Sequence, residues 1–286
     1  MKILVVGGTR FFGIPMIAKL LEDGHEVTVA TRGNAANPFA GKTQQIIMDR
    51  TDPKQVKEAL AGKSFDVIID KVAYSSNDVR ALLENADCRK YVQMSTCSVY
   101  EKEREGIREE EFNPASYPLK WQSRTQDYGE GKRLAERAAL EYLDPADCVF
   151  VRYPIVLGEN DYTGRLKFYV DHILDGIEMH VSGLDYGIAF IQEKEAGEFI
   201  AFLAERDASG PYNGSSEGWI TTREIISYVE SKSGKKAVLT DDGEEAPFNF
   251  MPDNESYDTS RAAGIGFRFS PLKNWIYDLL DFYMER

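Results

Sequence analysis

The chain of 286 residues has little of what holds metals or disulfides. Its three cysteines, Cys88, Cys97 and Cys148, are odd in number and far apart, and its three histidines, His25, His172 and His180, do not cluster. That excludes a disulfide framework, offers no CxxC or His-rich spacing for a metal, and predicts a reducing compartment. Positive charge is short as well: 34 Lys and Arg face 47 Asp and Glu, a formal net charge of −13. A surface this acidic repels phosphate backbones, so neither nucleic acid nor an anionic membrane is an expected partner. Long apolar runs are also missing. The first one, residues 3–6, stops at Gly7, far short of the roughly 20 residues that cross a bilayer and of a signal-peptide core. A cytoplasmic protein is expected.

What is present is alternation. Short β-branched runs at residues 3–6, 27–30, 45–48, 65–69, 91–94 and 149–152 are separated by helical patterns at 15–22, 53–61, 78–84 and 126–142. That rhythm predicts parallel βαβ units, and right-handed crossovers fold them into a Rossmann-like, doubly wound α/β sheet. Further on, residues 165–174, 195–205, 221–231 and 275–283 read as helices, 188–191 as one short strand, and 211–214 as a strand ending in a turn. Residues 1–157 are expected to form a dinucleotide-binding domain, with 187–213 returning to it. Residues 158–186 and 214–286 would form a smaller C-terminal substrate lobe. The stretch 101–118, dense in Glu and Arg, reads first as a solvated surface excursion. Its alternative is a loop beside the substrate, because loops at strand carboxyl ends border the ligand crevice.

Directly after the first strand comes Gly7-Gly8-Thr9-Arg10-Phe11-Phe12-Gly13. A tight glycine turn running into a helix gathers free backbone N–H groups and the positive end of the helix dipole, a natural seat for a pyrophosphate. NAD sites generally carry a carboxylate at the tip of the second strand for the ribose hydroxyls. Here that tip reads Thr31-Arg32-Gly33. Arg32, joined by Arg10, could instead pair with a 2′-phosphate through its planar fork, so NADP is expected ahead of NAD, with two surface arginines as the plainer reading. At the third strand tip, Asp49 of Asp49-Arg50-Thr51-Asp52 could accept the adenine amino group, while Asp52 or Thr51 caps the following helix.

The fifth strand ends in Met94-Ser95-Thr96-Cys97-Ser98, which puts hydroxyls at the carboxyl edge of the sheet. Tyr128 and Lys132 follow, four residues apart and therefore on one helix face. A nearby ammonium is expected to draw the phenol's pKa down from about 10. Thr96 would hold the substrate oxygen while Tyr128 moves the proton. The spacing alone is weak, since with 15 tyrosines about one such pair arises by chance. Tyr228 and Lys232 repeat it on an amphipathic helix with no hydroxyl-bearing strand tip before it. They read as packing and a solvated helix-end cation.

Together these motifs, with Asp66-Val67-Ile68-Ile69-Asp70, Val72-Ala73, Glu136 and Arg152-Tyr153-Pro154, resemble the extended or atypical short-chain dehydrogenases/reductases of the NAD-dependent epimerase/dehydratase family. The resemblance covers nearly the whole chain. It implies Thr96, Tyr128 and Lys132 as catalytic residues, with Lys132 also on the cofactor ribose. Residues 7–13, Arg32, Asp49, Arg50, Val72, Ala73, Ser95, Tyr153 and Pro154 would surround the dinucleotide, and Tyr74 and Arg165 the substrate. A homodimer is one assembly such families use. Two departures stand out. Arg10 occupies the middle glycine of the family's Gly-x-x-Gly-x-x-Gly, a form that resembles the subgroup of chloroplast stem-loop RNA-binding proteins. Tyr186-Gly187 stands where nucleotide-sugar enzymes carry an arginine. The expected function is an NAD(P)-dependent oxidoreductase or epimerase acting on a carbonyl or carbinol, a sugar or sugar nucleotide among the candidates. Its alternative is a non-catalytic dinucleotide-binding or RNA-associated protein on the same fold.

Overall fold

The computed structural model describes residues 1–101, 104–249 and 253–285. In chain order, β1 (Lys2–Val6), α1 (Gly13–Glu22), β2 (Glu26–Thr31), β3 (Gln44–Ile47), α2 (Pro53–Leu60), β4 (Lys63–Asp70), α3 (Ser76–Leu83) and β5 (Ala86–Met94) come first. After the acidic excursion come α4 (Tyr128–Ala139), β6 (Cys148–Arg152), β7 (Ile155–Leu157), α5 (Arg165–Asp175), β8 (Glu178–His180), β9 (Gly187–Ile188) and β10 (Phe190–Gln192). Then follow α6 (Glu193–Glu205), β11 (Gly210–Asn213), β12 (Ile220–Thr221), α7 (Thr222–Ser233), β13 (Val238–Leu239), β14 (Glu244–Glu245), α8 (Ser260–Gly264) and α9 (Ile276–Met284).

Seven strands pair in the order β11-β6-β5-β4-β1-β2-β3, every neighbour parallel. The order reverses beside β1, and a ligand crevice opens at the carboxyl ends of strands around such a reversal. Strand periodicity divides β1 between the two faces. Ile3 and Val5 join Met16, Ile17 and Leu20 of α1 and Phe199 and Ile200 of α6 in one core. Leu4 and Val6 join Val79 and Leu82 of α3 and Ala135 and Ala138 of α4 in another. With each fully buried branched side chain contributing about 1.5–3 kcal/mol, the two cores fix the register of the sheet that carries the crevice. A third core packs Tyr169 and Ile173 of α5, Ile225 and Val229 of α7, and Ile276 and Leu280 of α9 around Phe190 and Phe248.

Local caps follow the sequence. Asp52 accepts from the amides of Lys54 and Gln55 at the start of α2, Asp127 from that of Glu130 at the start of α4, and Thr221 and Glu224 cap α7 reciprocally. Two expectations need correction. The single strand at 188–191 is two strands: β9 pairs antiparallel with β12, while β10 pairs parallel with β7. A run of four apolar residues carries no record of a change of partner at Ala189.

The excursion is not simply solvated. Ile107 and Glu109 are buried, the Asn213 backbone amide donates to the Glu109 carboxylate at 2.9 Å and its side-chain amide to the Ile107 carbonyl at 3.0 Å, and Arg152 donates to the carbonyls of Glu109 and Phe112 at 2.9 and 3.0 Å. Its acidic composition hides how two distant polar side chains pin it down. Residues 102 and 103 of that stretch lie outside the described residues.

Candidate active site

The turn between β1 and α1 depends on glycine. Gly7 and Gly8 have φ of +85° and +105°, and a Cβ on Gly13 would stand 2.2 Å from the carbonyl oxygen of Gly8. Phe11 is held at φ +55°, a conformation that costs a bulky residue energy and persists only where packing enforces it. No side chain caps α1, so the positive end of its dipole opens at Phe11 and Phe12, which line the cleft. These features fit a dinucleotide phosphate group. Thr9, within the turn, is buried.

Arg10 and Arg32 are both exposed and meet different neighbours. The Arg10 guanidinium lies 4.1 Å from the ring centroid of Tyr162, whose π face attracts it. Arg32 stays exposed at the end of β2, where its charge acts on Asp49. The Asp49 carboxylate accepts from the amide and hydroxyl of Thr51, at 2.9 and 2.7 Å, and these bonds hold it below the usual carboxylate range. Arg50 turns inward, donating to the Asp70 carboxylate at 2.5 Å and the Asp78 carbonyl at 2.6 Å. It borders a second cavity of about 430 Å³ with Arg80 and Arg124, not the main cleft. Val72 packs on Gly7, and Ala73 is fully buried.

At the end of β5, the Thr96 hydroxyl accepts from the amide of Ser98 and donates to the Ser98 hydroxyl, both at 3.2 Å, and it stands near enough to the Tyr128 phenol to favour its ionised form. Tyr128 is the first residue of α4, beside Tyr74 at 6.2 Å between ring centroids. Two glycines let this helix close on the site: a Cβ on Gly129 would lie 2.4 Å from the Ser98 carbonyl oxygen, and one on Gly131 2.5 Å from that of Tyr74. Lys132 is fully buried. Its ammonium donates to the Met94 carbonyl at 2.9 Å and lies 4.5 Å from the Tyr74 ring centroid and 5.8 Å from that of Tyr128.

The expectation that this ammonium lowers the phenol's pKa is corrected. Tyr128 is 45% exposed, but the desolvation of its hydroxyl end pushes the phenol up to about 12, and the cation that opposes this is Arg165. Burial also draws Lys132 down to about 7, against the pull of Asp70, Glu136 and Asp78. Desolvation outweighs a charge committed to a carbonyl.

Beneath the site, Ser95 donates to Glu136 at 2.5 Å, and Glu136 pairs with Arg152 at 2.7 Å with neither side chain exposed. Above it opens a cleft of about 740 Å³, with Thr96, Tyr128, Tyr74, Tyr153, Pro154 and Arg165 on its walls. The Tyr153 hydroxyl donates to the Ala196 carbonyl at 2.6 Å. Sequence reasoning overlooked Lys71 and Tyr162, both on the same walls. A lysine directly after the β4 tip was the available signal for the first; none existed for the second. The repeated pair lies elsewhere: Tyr228 and Lys232 both bond Asp281, at 2.9 and 3.3 Å.

A model of the NAD dependent epimerase/dehydratase family matches residues 3–82 and 72–211. The chain is 32% identical over 115 residues to the chloroplast stem-loop binding protein of 41 kDa b of Arabidopsis thaliana, covering 35% of this chain and 30% of that protein. It is 30% identical over 199 residues to probable UDP-arabinose 4-epimerase 1 of Oryza sativa subsp. japonica, covering 57% and 45%. The chain thus spans less than half the length of these relatives. Two solved structures share the fold over nearly their whole length. They are UDP-glucose 4-epimerase of Thermus thermophilus with NAD (TM-score 0.73, 19% identity, 100% and 99% covered) and the enzyme WbmG of Bordetella bronchiseptica with NAD (0.75, 18%, 99% and 94%).

Proposed function

From the premise that the chain belongs to the NAD-dependent epimerase/dehydratase family, we propose that it oxidises and reduces a carbinol or carbonyl carbon in the main cleft, with Tyr128 as acid and base. The cofactor class is a nicotinamide dinucleotide, which when bound supplies hydride exchange. The convergence of the Thr96 hydroxyl and the Tyr128 phenol on the wall of one cleft carries the reading. It marks where a substrate oxygen would be held between two hydroxyls. A neutral phenol can donate a proton to an oxygen as negative charge grows there. Giving it up leaves a phenolate, which a charged Lys132 favours, and Asp70, Glu136 and Asp78 all favour that charged form of the lysine.

A sugar or sugar nucleotide is the substrate class we favour, in keeping with the activities for which the rice relative and the Thermus epimerase are named. Arg165, at the cleft wall and close enough for its charge to reach Tyr128, is the cation for an anionic part of it. NADP is proposed ahead of NAD on the strength of Arg32 and a β2 tip without a carboxylate.

Tyr128→Phe tests the proposal. Turnover of NAD(P)H against a panel of sugars, sugar nucleotides and simple carbonyls should fall by about a hundredfold or more, with dinucleotide affinity held within a few-fold. Unchanged turnover would refute the assignment. Wild-type protein that binds the dinucleotide but turns over nothing in the panel would favour the non-catalytic alternative.

A further inference from the structure

Among the described residues, three lysines have ammonium groups that burial draws well below the usual range: Lys71, Lys90 and Lys132. Lys132 faces carboxylates of Asp70, Glu136 and Asp78, and Lys90 those of Asp207 and Asp147. Lys71 is different. Among the described residues, the charge that acts on it is that of another cation, Arg10.

The backbone explains the placement. The Lys71 amide donates to the Val6 carbonyl at 3.1 Å, which fixes the residue at the carboxyl end of β4 beside the first glycine of the turn. The side chain then crosses the turn. Its ammonium lies 3.9 Å from the Phe12 ring centroid and 3.5 Å from the Arg10 carbonyl oxygen. Arg10 rests on Tyr162 from the far side. Two cations thus stand at the mouth of an uncapped helix N-terminus, held by aromatic faces and by no carboxylate among the described residues. Like charges in a partly dry cleft repel each other, and an arriving anion turns that cost into binding.

We propose that Lys71 and Arg10 form a side-chain clamp on the diphosphate of the dinucleotide, with Arg10 standing where the family's middle glycine would let the backbone approach. This rests on the cofactor reading above and deepens it. Phosphate charge normally met by backbone donors alone is here also met by two side chains, one from the turn and one from β4. A bridging diphosphate, with charge on both phosphorus centres, suits two cations better than a single phosphate does.

The test is calorimetric binding of NADH, ADP-ribose and AMP to wild type, Lys71→Met, Arg10→Ala and Lys71→Arg. NADH and ADP-ribose contain the diphosphate, and AMP carries one phosphate on the same adenosine. Lys71→Met and Arg10→Ala should each weaken NADH and ADP-ribose by about tenfold or more, leave AMP within twofold, and unfold in urea as wild type does. Lys71→Arg should recover most of the loss. Equal weakening of AMP and ADP-ribose, or undiminished ADP-ribose binding in both variants, overturns the clamp while the cofactor reading stands. A wild type that binds neither NADH nor ADP-ribose overturns both.

Discussion

Glu136→Gln probes the buried pair on which the site rests. The wild-type carboxylate accepts from Arg152 at two points, 2.7 and 3.0 Å, and from the Ser95 hydroxyl at 2.5 Å. An amide offers one acceptor oxygen and turns an NH2 toward groups that are themselves donors. Arg152 is left buried, with its charge unanswered but its bonds to the Glu109 and Phe112 carbonyls intact. Removing one partner of a fully buried pair costs about 3–5 kcal/mol, which corresponds to a melting point lower by roughly 6–15 °C in a chain of this size. Urea unfolding at pH 7 measures the loss directly. The pairing is separated from general core damage by a cycle of Glu136→Leu alone, Arg152→Met alone and the double variant Glu136→Leu/Arg152→Met. The double variant should lose less than the two single losses added together, with a coupling of about 2 kcal/mol. A loss below about 1 kcal/mol for Glu136→Gln, or strict additivity in the cycle, would show that the pair does not hold the floor of the site.

Lys132 gives a pH signature whose sign is fixed. Its folded pKa, about 7, lies below the unfolded value of 10.5, so between them the unfolded chain binds more protons and stability rises with pH, by at most about 1.4 kcal/mol per pH unit. The stability of wild type minus that of Lys132→Met, measured in urea, should therefore increase from pH 7.5 to 8.5; a flat or falling difference contradicts the burial argument. Arg32→Ala should weaken NADPH about tenfold or more and NADH little, and equal weakening removes the reason for preferring NADP. Gly13→Ala forces a methyl against the Gly8 carbonyl oxygen. It should cost about 1–3 kcal/mol and abolish dinucleotide binding by calorimetry; unaltered binding would mean the turn is not the phosphate seat.

Much of the scaffold could be read from the residue pattern because its determinants are local. The β-branched runs became β1 to β6 within a few residues, Asp52 capped α2, and Gly7, Gly8 and Gly13 formed the turn. The spacing of Tyr128 and Lys132 placed both on α4, and the hydroxyl run after β5 brought Thr96 to the phenol. Each of these rests on a period of 2 or 3.6, or on one residue's backbone preference. The partner change inside 188–191 and the burial of 107–112 rest on contacts from far along the chain, and no local pattern encodes them.

The arginines show the limit most clearly. Arg10, Arg32, Arg50 and Arg152 look alike as sequence, each beside a strand tip or turn, yet they have different destinations: the Tyr162 ring, solvent, Asp70 and Glu136. A guanidinium goes to whichever acceptors the fold leaves unsatisfied within its reach, and folding, not spacing, decides which those are. Two of these destinations place charge under the reacting groups. Arg50, Asp70, Asp78, Lys132, Glu136 and Arg152 are all buried, three cations among three carboxylates. A neutral file of that kind keeps an uncompensated charge out of the interior of an acidic protein. It also sets Lys132 between carboxylates that hold its proton and a burial that expels it. The same balance that stabilises the floor therefore draws the Lys132 ammonium below its usual range, so that a change in charge within the cleft acts on its proton.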